Sequence, residues 1–424
     1  MNSQAIALSN LNNSFHGTIQ LTGSKSESNR ALILQALSDG LIEVKNLSSA
    51  ADTVTLNNLL KELSGVNSAG ESTEISVGPA GTAMRFLTAY AAVKGTKVTI
   101  TGSERMKQRP IGILVNSLLD LGAKISYSET AGFPPVKITG NFNQKTAKVK
   151  VKGSISSQYI TALLLVAPTL SKGITIEIEG DLTSKPYVEM TLAMMGQCGI
   201  NHTWHDNQVK IGAQTFKPST ITVEPDWSAA SYWYSVAALC NDATIKLPFL
   251  KKDSLQGDNR IAEIMSHLGV ETTYEEDGIT IVNTGKKLDQ TDFDFKECPD
   301  LAQTVIACCA ALGYNATFTG LETLKIKETD RVAALQNELA KLNVTLTENN
   351  GSYFLDSEGK QIPDEVSFST YEDHRMAMAF APLALVINKV IIEDPEVVEK
   401  SYPHFWEDMK KAGFEIKTSE LAKS

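Results

Sequence analysis

One local pattern recurs along the whole chain: an apolar strand-like run, a short turn, and a helix rich in Ala, Leu, Met and Ser. Six segments follow it, with their turns at 23–30, 78–85, 153–158, 226–231, 298–302 and 372–376. The last four turns lie roughly 73 residues apart, a period too long for a solenoid repeat. The pattern therefore predicts an α/β fold in which one small unit is used several times.

The turn at 23–30, Gly-Ser-Lys-Ser-Glu-Ser-Asn-Arg, carries the clearest chemical signal. A strand-to-helix turn directs free backbone N–H groups, and the positive end of the helix dipole, toward whatever binds there. Lys25 and Arg30 add positive charge, and three serines add hydroxyl groups. These residues predict a phosphate or carboxylate site. Taken alone, the turn is equally compatible with an ordinary helix cap beside surface charges.

Net charge limits the classes of partner. The chain has 424 residues, enough for two or three domains, and a net charge of −10, which argues against a general nucleic-acid binder. An acidic protein that binds anions must concentrate its cations locally. Here the cations cluster at 25–30, 105–109 and 325–331, and at Arg375 and Lys400.

Location and cofactors are constrained by what the sequence lacks. The apolar runs 159–170 and 376–387 are too short to span a bilayer. The N-terminus does not resemble a signal peptide, and the five Cys form no Cys-x-x-Cys pair, so we expect a cytoplasmic protein. No P-loop or Rossmann glycine motif occurs. His202 and His205 are better explained by an exposed strand than by a metal site, so neither metal nor cofactor is expected.

Three further turns contain candidate catalytic groups. Asp300 and Asp373 each precede a helix, where a carboxylate can cap the helix or accept a proton from a substrate hydroxyl. The adjacent Lys327 and Glu328 could form an acid–base pair, although a helix start with ordinary charge pairs is the simpler interpretation. The cations of the loop 105–109 could face a ligand, but composition alone favours a solvated loop.

Taken together, these motifs resemble the 5-enolpyruvylshikimate-3-phosphate synthase family, also called 3-phosphoshikimate 1-carboxyvinyltransferases. The matching segments follow the family's order: 23–30, 80–85, 105–112, 153–158, 184–187, 327–331 and 373–378. The set is specific, whereas any one motif would be weak. The resemblance implies an α/β fold of two similar domains, each with three copies of a βαβαββ unit, and an active site in the interdomain cleft. One domain would span 23–227, and the other 1–22 plus 228–424.

The family transfers the enolpyruvyl group of phosphoenolpyruvate to the 5-hydroxyl of shikimate 3-phosphate and releases phosphate, a step of chorismate and aromatic amino-acid biosynthesis. The residues implied for shikimate 3-phosphate are Lys25, Ser26, Arg30, Ser156, Ser157, Gln158, Ser184, Asp300, Thr323 and Lys327. Those implied for phosphoenolpyruvate are Lys25, Gly81, Arg109, Gln158, Arg331, Arg375 and Lys400. We assign Asp300 to the hydroxyl, and Glu328 with Lys327 to the methylene, with Lys25 between the substrates. A monomer without nucleic-acid or membrane partners is expected.

The sequence departs from the family pattern at three positions. Pro79 stands where an Asn is common, and Thr323 and Leu324 replace a usual Asn and an aromatic residue. Pro79 bears on the affinity for phosphoenolpyruvate and its inhibitor analogues rather than on the reaction class.

Two alternative functions share the predicted fold. The UDP-N-acetylglucosamine enolpyruvyl transferases usually carry a Cys in the loop corresponding to 102–109, and none occurs here. A non-catalytic anion-binding protein would be expected to lose Asp300, Lys327 or Glu328, and all three are present.

Overall fold

Short strands alternate with helices along the computed structural model, which describes residues 4–10, 12–65 and 72–420. In these residues the strands are β1 Gln4–Ser9, β2 Ser14–Thr18, β3 Ile42–Lys45, β4 Thr73–Ser76, β5 Lys97–Thr101, β6 Ile125–Tyr127, β7 Val136–Thr139, β8 Lys148–Lys152, β9 Ile174–Glu179, β10 Thr203–His205, β11 Gln208–Ile211, β12 Ser219–Thr222, β13 Asp242–Pro248, β14 Val270–Glu275, β15 Gly278–Asn283, β16 Asp292–Asp294, β17 Ala316–Thr319, β18 Thr345–Asn349, β19 Ser352–Asp356, β20 Glu365–Phe368, β21 Lys389–Glu393 and β22 Glu415–Glu420.

The helices of the same residues begin at or just after the turns that the sequence pattern marks. They are α1 Lys25–Leu37, α2 Ala51–Ser64, α3 Gly81–Lys94, α4 Glu104–Lys107, α5 Gly112–Leu121, α6 Ser157–Val166, α7 Lys185–Gln197, α8 Trp227–Leu239, α9 Ile261–Ser266, α10 Ala302–Leu312, α11 Arg331–Ala340, α12 His374–Phe380 and α13 Phe405–Lys411. Short 3₁₀ helices lie at Ala167–Thr169, Gly257–Arg260, Pro299–Leu301, Glu322–Ile326, Ala381–Leu385 and Pro395–Lys400. Among the described residues, none of the helices has both the length and the apolar content that a membrane crossing requires.

The chain divides into two units by its internal contacts. Unit 1 comprises Met1–Thr22 and Glu224–Ser424, and unit 2 comprises Gly23–Val223. The second change of unit lies between Val223 and Glu224, whereas the predicted boundary follows residue 227. Asp226 belongs with unit 1, where its N–H donates a 3.0 Å hydrogen bond to the carbonyl of Thr22.

Unit 2 contains two four-stranded sheets with the same internal order. In each sheet, two strands joined through a helix are parallel, β4 with β5 and β8 with β9. A hairpin then adds two antiparallel strands, giving the orders β4-β5-β7-β6 and β8-β9-β11-β10. A third sheet pairs β12 with β3 in parallel and has two strands in the described residues, fewer than a full copy of the unit predicts.

Unit 1 contains three four-stranded sheets, ordered β2-β13-β15-β14, β16-β17-β19-β18 and β20-β21-β1-β22. Each again has one parallel pair followed by antiparallel strands. In the third sheet β1 lies between two strands from the far end of the chain, because Leu8 faces Val390 on one side and Ile416 on the other. These strand orders confirm the predicted α/β class of repeated βαβαββ units.

Three helices form the interior of each unit: α1, α3 and α6 contact one another in unit 2, as do α8, α10 and α12 in unit 1. Every residue of α12 is buried, and so is nearly all of α8 and α10. Cys308 and Cys309 lie fully buried in α10, and burial raises the pKa of both thiols, as expected for core residues. A helix buried on all sides keeps its polar groups mainly at its ends. The six turns of the repeated sequence pattern lie at the N-terminal ends of these inner helices.

Candidate active site

The first turn of unit 2 is shaped by a cap and by a glycine. The Ser24 hydroxyl caps α1 by accepting a 3.4 Å hydrogen bond from the N–H of Glu27. A Cβ at Gly23 would overlap the carbonyl oxygen of Asn46, so the chain can turn here only with glycine. Lys25 Nζ lies 3.1 Å from Asp52 Oδ2, a carboxylate that is only 4% exposed. The turn therefore holds its lysine against a buried acid.

Arg30 lies inside unit 2 and is 3% exposed. Its Nε donates to Thr191 Oγ1 at 2.8 Å, and its Nη atoms donate to the carbonyls of Ser26 at 2.8 Å and Tyr187 at 3.2 Å. Burial lowers the pKa of Arg30 to about 10, so the guanidinium keeps its charge at neutral pH. Arg30 thus ties the first turn of α1 to the first turn of α7.

Gly81 begins α3, and the guanidinium of Arg109 packs directly against it. A Cβ at this position would lie 2.7 Å from Arg109 Nη1. The φ of Gly81 is not positive, so close approach rather than turn geometry explains the glycine. Arg109 is 6% exposed, whereas Lys107, the last residue of the short helix α4 that precedes it, pairs with Glu104 at 3.2 Å. The loop therefore buries one of its cations at a helix start.

The loop that carries Arg109 is anchored at the carbonyl of Pro110. This oxygen accepts hydrogen bonds from Arg85 Nη2 at 3.0 Å and from the Tyr159 hydroxyl at 2.6 Å. Arg85 Nη1 also donates to the carbonyl of Gly81 at 3.0 Å. Side chains of α3 and α6 therefore fix the position of the loop.

The four remaining candidates in unit 2 lie at the starts of α6 and α7. The Ser156 hydroxyl caps α6 by accepting from the N–H of Gln158 at 3.3 Å, and Gln158 Nε2 donates to Thr82 Oγ1 at 3.4 Å. Ser157 and Ser184 are both buried. Ser184 precedes α7 with φ of 56° and makes no side-chain capping bond. A left-handed non-glycine residue stores strain, a feature that concentrates at functional sites.

Unit 1 gathers seven charged groups, here called the charge cluster: Asp300, Lys327, Glu328, Arg331, Asp373, Arg375 and Lys400. Arg331 lies at its centre and is 1% exposed. Its guanidinium contacts Asp373 Oδ2 at 2.7 Å, Glu328 Oε2 at 2.9 Å and Asp300 Oδ1 at 3.1 Å. Burial alone would lower the pKa of Arg331, but the three carboxylates outweigh it and raise that pKa.

The other three cations of the charge cluster each face one of these carboxylates. Arg375 Nη2 lies 2.9 Å from Asp300 Oδ2, and Lys327 Nζ lies 3.9 Å from Asp300 Oδ1. Lys400 Nζ lies 3.1 Å from Glu328 Oε1. Four cations against three carboxylates leave one positive charge in excess within this set. Buried positive charge of this kind is suited to an anionic ligand.

Asp300 differs from its predicted role as a helix cap. It lies in the 3₁₀ helix Pro299–Leu301, and its carboxylate oxygens receive bonds from Arg331 and Arg375. Burial alone would raise the pKa of Asp300, but Arg375, Lys327 and Arg331 hold it well below its usual range. Asp373 does cap its helix, since its Oδ1 accepts a 2.8 Å bond from the N–H of Arg375. The local pattern could not separate these two aspartates, because their difference depends on distant arginines.

Thr323 lies in the 3₁₀ helix Glu322–Ile326. Its hydroxyl oxygen is buried and finds no hydrogen-bond partner in the part of the chain that the structure describes. A buried hydroxyl without a partner is costly unless something else completes it, and a ligand can do so.

Several polar residues of unit 1 were not singled out by the sequence motifs. The Tyr232 hydroxyl accepts a 3.1 Å bond from Arg375 Nη1, and Ser228 Oγ accepts one from Arg375 Nη2 at 3.4 Å. Ser228 Oγ in turn donates a hydrogen bond to the carboxylate of Asp258. Ser228 follows a recognisable N-cap, Asp226, but Asp258 has no local signature at all. Within the described residues, no group of three or more His, Cys, Asp and Glu side chains is placed to hold a metal ion.

Comparisons with known proteins show which family the chain resembles. The family model for EPSP synthase (3-phosphoshikimate 1-carboxyvinyltransferase) matches residues 10–409. A 3-phosphoshikimate 1-carboxyvinyltransferase from Bacteroides fragilis is 46% identical over 406 residues, covering 95% of this chain and 97% of the relative. One from Escherichia coli is 36% identical over 419 residues, covering 93% and 96%.

A solved EPSP synthase structure from Acinetobacter baumannii shares the fold. It superposes with a TM-score of 0.78 at 21% sequence identity, over 98% of this chain and all of that one. The near-complete match to the family model and the high identity to the curated relatives carry the assignment. The chain belongs to the EPSP synthase family and is a 3-phosphoshikimate 1-carboxyvinyltransferase, an enzyme of the shikimate pathway that uses phosphoenolpyruvate and shikimate 3-phosphate.

Proposed function

We propose a division of roles among these side chains for the family's reaction, the transfer of the enolpyruvyl group to the 5-hydroxyl of shikimate 3-phosphate. The observation that carries the proposal is the charge cluster of unit 1, in which buried arginines and lysines are paired with potential acid–base groups. Both substrates bear a phosphate and a carboxylate. Cations held in place before binding neutralise such anions without a large cost of reorganisation.

The phosphoenolpyruvate site is assigned first. Arg331, Arg375 and Lys400 would bind its phosphate and carboxylate in unit 1. In unit 2, Arg109, which packs against Gly81, would bind the same anionic groups. Lys25 and Gln158 are assigned to phosphoenolpyruvate as well. Each of these three cations of unit 1 already faces a carboxylate, so an incoming anion would share their positive charge with that carboxylate. Binding therefore changes the electrostatic surroundings of Asp300 and Glu328.

Asp300 would act as the base for the 5-hydroxyl. With its pKa held low by Arg375, Lys327 and Arg331, it accepts protons poorly while the site is empty. When substrate anions draw on Arg375 and Lys327, that restraint weakens and the basicity of Asp300 rises. This coupling would make the base effective mainly when the anions are bound.

Glu328 would serve the methylene carbon, with Lys327 beside it. Protonation of the enol carbon gives a cationic centre that the hydroxyl attacks, and the tetrahedral adduct then loses phosphate as the methylene loses a proton. Glu328 lies between Arg331 and Lys400, so it is held next to the proposed phosphoenolpyruvate cations. Its position supports the role that the resemblance implies.

Shikimate 3-phosphate is assigned mainly to unit 2. The hydroxyls of Ser26, Ser156, Ser157 and Ser184 would hold its phosphate and ring, with Gln158, Lys25, Arg30, Thr323, Lys327 and Asp300 completing the site. Three of the five N–H groups of Arg30 donate hydrogen bonds to acceptors within unit 2. We therefore assign it two tasks: to hold the start of α7 in place, and to offer its remaining N–H groups to the phosphate.

Arg30 variants separate these two tasks. Arg30→Lys keeps the positive charge but cannot reproduce the three directed hydrogen bonds. Arg30→Ala removes both the charge and the hydrogen bonds. We expect the dissociation constant for shikimate 3-phosphate to rise at least about tenfold in both variants, because all three acceptors lose their donor in Arg30→Ala and the single ammonium of Arg30→Lys cannot reach all three. Calorimetric titration measures this constant. Near-normal binding by Arg30→Lys would show that charge alone matters.

Gly81→Ala tests the contact with Arg109. The added methyl would push the guanidinium aside, and the end of a flexible side chain can yield without large strain. We expect the KM for phosphoenolpyruvate to rise roughly three- to tenfold, while the melting temperature changes by about 2 °C or less. Gly212→Ala is the matched control, since a Cβ there meets nothing within 4 Å. A large drop in stability with equal losses for both substrates would contradict this role.

The overall assignment is tested by phosphate release from phosphoenolpyruvate. We expect release with shikimate 3-phosphate present, none without it, none with UDP-N-acetylglucosamine in its place, and no effect of a chelator. Release that needs no shikimate 3-phosphate would contradict the function. Release only with UDP-N-acetylglucosamine would support the alternative transferase instead.

The remaining features are proposals of the same kind. We propose a cytoplasmic monomer whose two domains are the units described above, 23–223 and 1–22 plus 224–424, and which needs neither nucleic acid nor membrane. Sedimentation equilibrium of the purified chain tests the monomer.

A further inference from the structure

Asp258 is a buried carboxyl group next to the charge cluster, without a role in the assignments above. It lies in the 3₁₀ helix Gly257–Arg260 and is 4% exposed. Its Oδ2 accepts a hydrogen bond from Ser228 Oγ, which itself accepts one from Arg375 Nη2 at 3.4 Å. Its Oδ1 is also buried and has no hydrogen-bond partner in the described residues. Asp258 is thus linked to Arg375 through one hydroxyl.

The groups that face Asp258 come from three parts of unit 1: Asp226 and Ser228 at the start of α8, Cys298 and Asp300 at the start of α10, and Arg375 in α12. Burial and the charge of Asp300 disfavour the ionised carboxylate, whereas Arg375 and the Ser228 hydroxyl favour it. The pKa of Asp258 is raised to about 7 as a result. A proton on Asp258 is therefore gained or lost near neutral pH.

The charge of Asp258 matters because of the balance in the charge cluster. Four cations and three carboxylates leave one positive charge in excess while Asp258 is protonated. Ionised Asp258 adds a negative charge next to this set, and it does so close to Arg375. Charges that are shielded from water interact more strongly than surface charges, so the effect on a bound anion is large.

We propose that Asp258 is a proton-controlled positioning residue for Arg375. Protonated Asp258 leaves the arginine available to the phosphoenolpyruvate anion, whereas ionised Asp258 competes with that anion for the arginine. The inference rests on the proposed function, in which Arg375 binds phosphoenolpyruvate. Linkage gives a second consequence: a bound anion next to Asp258 favours its protonated form, so binding takes up a proton above neutral pH.

Asp258→Asn removes the titration while keeping the shape of the side chain. We expect the wild-type KM for phosphoenolpyruvate to rise at least about threefold, relative to that of Asp258→Asn, between pH 6 and pH 8.5. We compare the ratio of the two KM values because the titration of the substrate's own phosphate affects both enzymes equally. The KM for shikimate 3-phosphate serves as the internal control and should keep a constant ratio.

Ser228→Ala provides an independent variant, because Ser228 stabilises the ionised form of Asp258. Its loss should move the midpoint of the KM profile to higher pH, an effect that a purely structural residue would not produce. Calorimetric titration of the wild type with phosphoenolpyruvate at pH 8, in buffers of different ionisation enthalpy, should show proton uptake that is smaller in Asp258→Asn.

The outcomes distinguish this inference from the proposed function. Parallel KM profiles for wild type and Asp258→Asn, with equal proton uptake, would overturn the role of Asp258 while enolpyruvyl transfer continues. If Asp258→Asn does not fold, an unchanged profile in Ser228→Ala overturns it instead. Absence of transfer by the wild type at every pH would refute the proposed function itself.

Discussion

Arg331→Met is expected to lower the free energy of unfolding by about 3–5 kcal/mol at pH 7.5, the usual cost of removing one partner from buried ion pairs. Arg331 is 1% exposed and contacts three carboxylates within 3.1 Å. Met fills a similar volume but provides no charge, so Asp300, Glu328 and Asp373 would face one another with fewer cations. Their mutual repulsion is the main source of the loss.

The loss should depend on pH in a direction that identifies its cause. In the wild type the pKa of Asp300 lies below its unfolded value, so its stabilisation is present above that unfolded value and is lost on acidification. In Arg331→Met, Asp300 loses one of the cations that hold its pKa low and still faces the neighbouring carboxylates, so its native pKa rises and protonation relieves the repulsion as pH falls. The difference in unfolding free energy between the two proteins should therefore shrink from pH 7.5 to pH 5.

Urea denaturation at these two pH values measures the effect. Arg260→Met is the matched control, because Arg260 is half-buried and meets Glu263 and Glu297 only at 3.9 Å. Such a pair should be worth about 1 kcal/mol or less. If Arg331→Met costs no more than Arg260→Met, the charge cluster does not stabilise unit 1 as described.

Asp300→Asn is expected to lower kcat by roughly 10²-fold or more, the scale of a lost general base. Asn keeps the shape and can still accept a hydrogen bond from one arginine, but it cannot take the hydroxyl proton. The affinity for shikimate 3-phosphate should change little. The affinity for phosphoenolpyruvate should hold or improve, since one negative charge is removed beside Arg331 and Arg375.

Steady-state kinetics with both substrates separates the alternatives. Asp330→Asn is the matched control: Asp330 caps α11 through a 3.0 Å bond to the N–H of Ala333, a task that Asn performs equally well. Its kcat should stay within about twofold of the wild type, because the cap of α11 is kept and no catalytic group is changed. If Asp300→Asn raises the KM for phosphoenolpyruvate and keeps kcat, Asp300 only orients the arginines.

Local chemistry made much of the fold predictable. The starts of α1, α6 and α12 are marked by Ser24, Ser156 and Asp373, whose side chains cap the helix in the structure. Capping depends on residues within a few positions of each other, so the sequence contains the whole signal. The apolar residues 18–21 that lead into the first turn extend past the strand Ser14–Thr18, because Ile19 and Leu21 are buried beyond its end.

The candidate site was predictable in its membership but not in its connections. The motifs place Asp300, Arg331 and Arg375 in separate turns, and only tertiary structure shows that one carboxylate joins the two arginines. Asp258 shows the limit most clearly. Its unusual pKa arises from burial and from Asp300 and Arg375, which lie more than 40 residues away in sequence.

The pairing of β1 has a consequence for synthesis of the chain. Unit 2 is continuous in sequence, whereas β1 pairs with β21 and β22, whose residues are translated almost 400 positions later. At about 5–20 residues per second, β1 leaves the ribosome tens of seconds before either partner exists. During that interval the apolar Ala5 and Leu8, which are fully buried in the folded protein, have no sheet to join. Unit 2 can complete its folding on the ribosome, while unit 1 must keep an early strand unpaired until the last helices and strands are made.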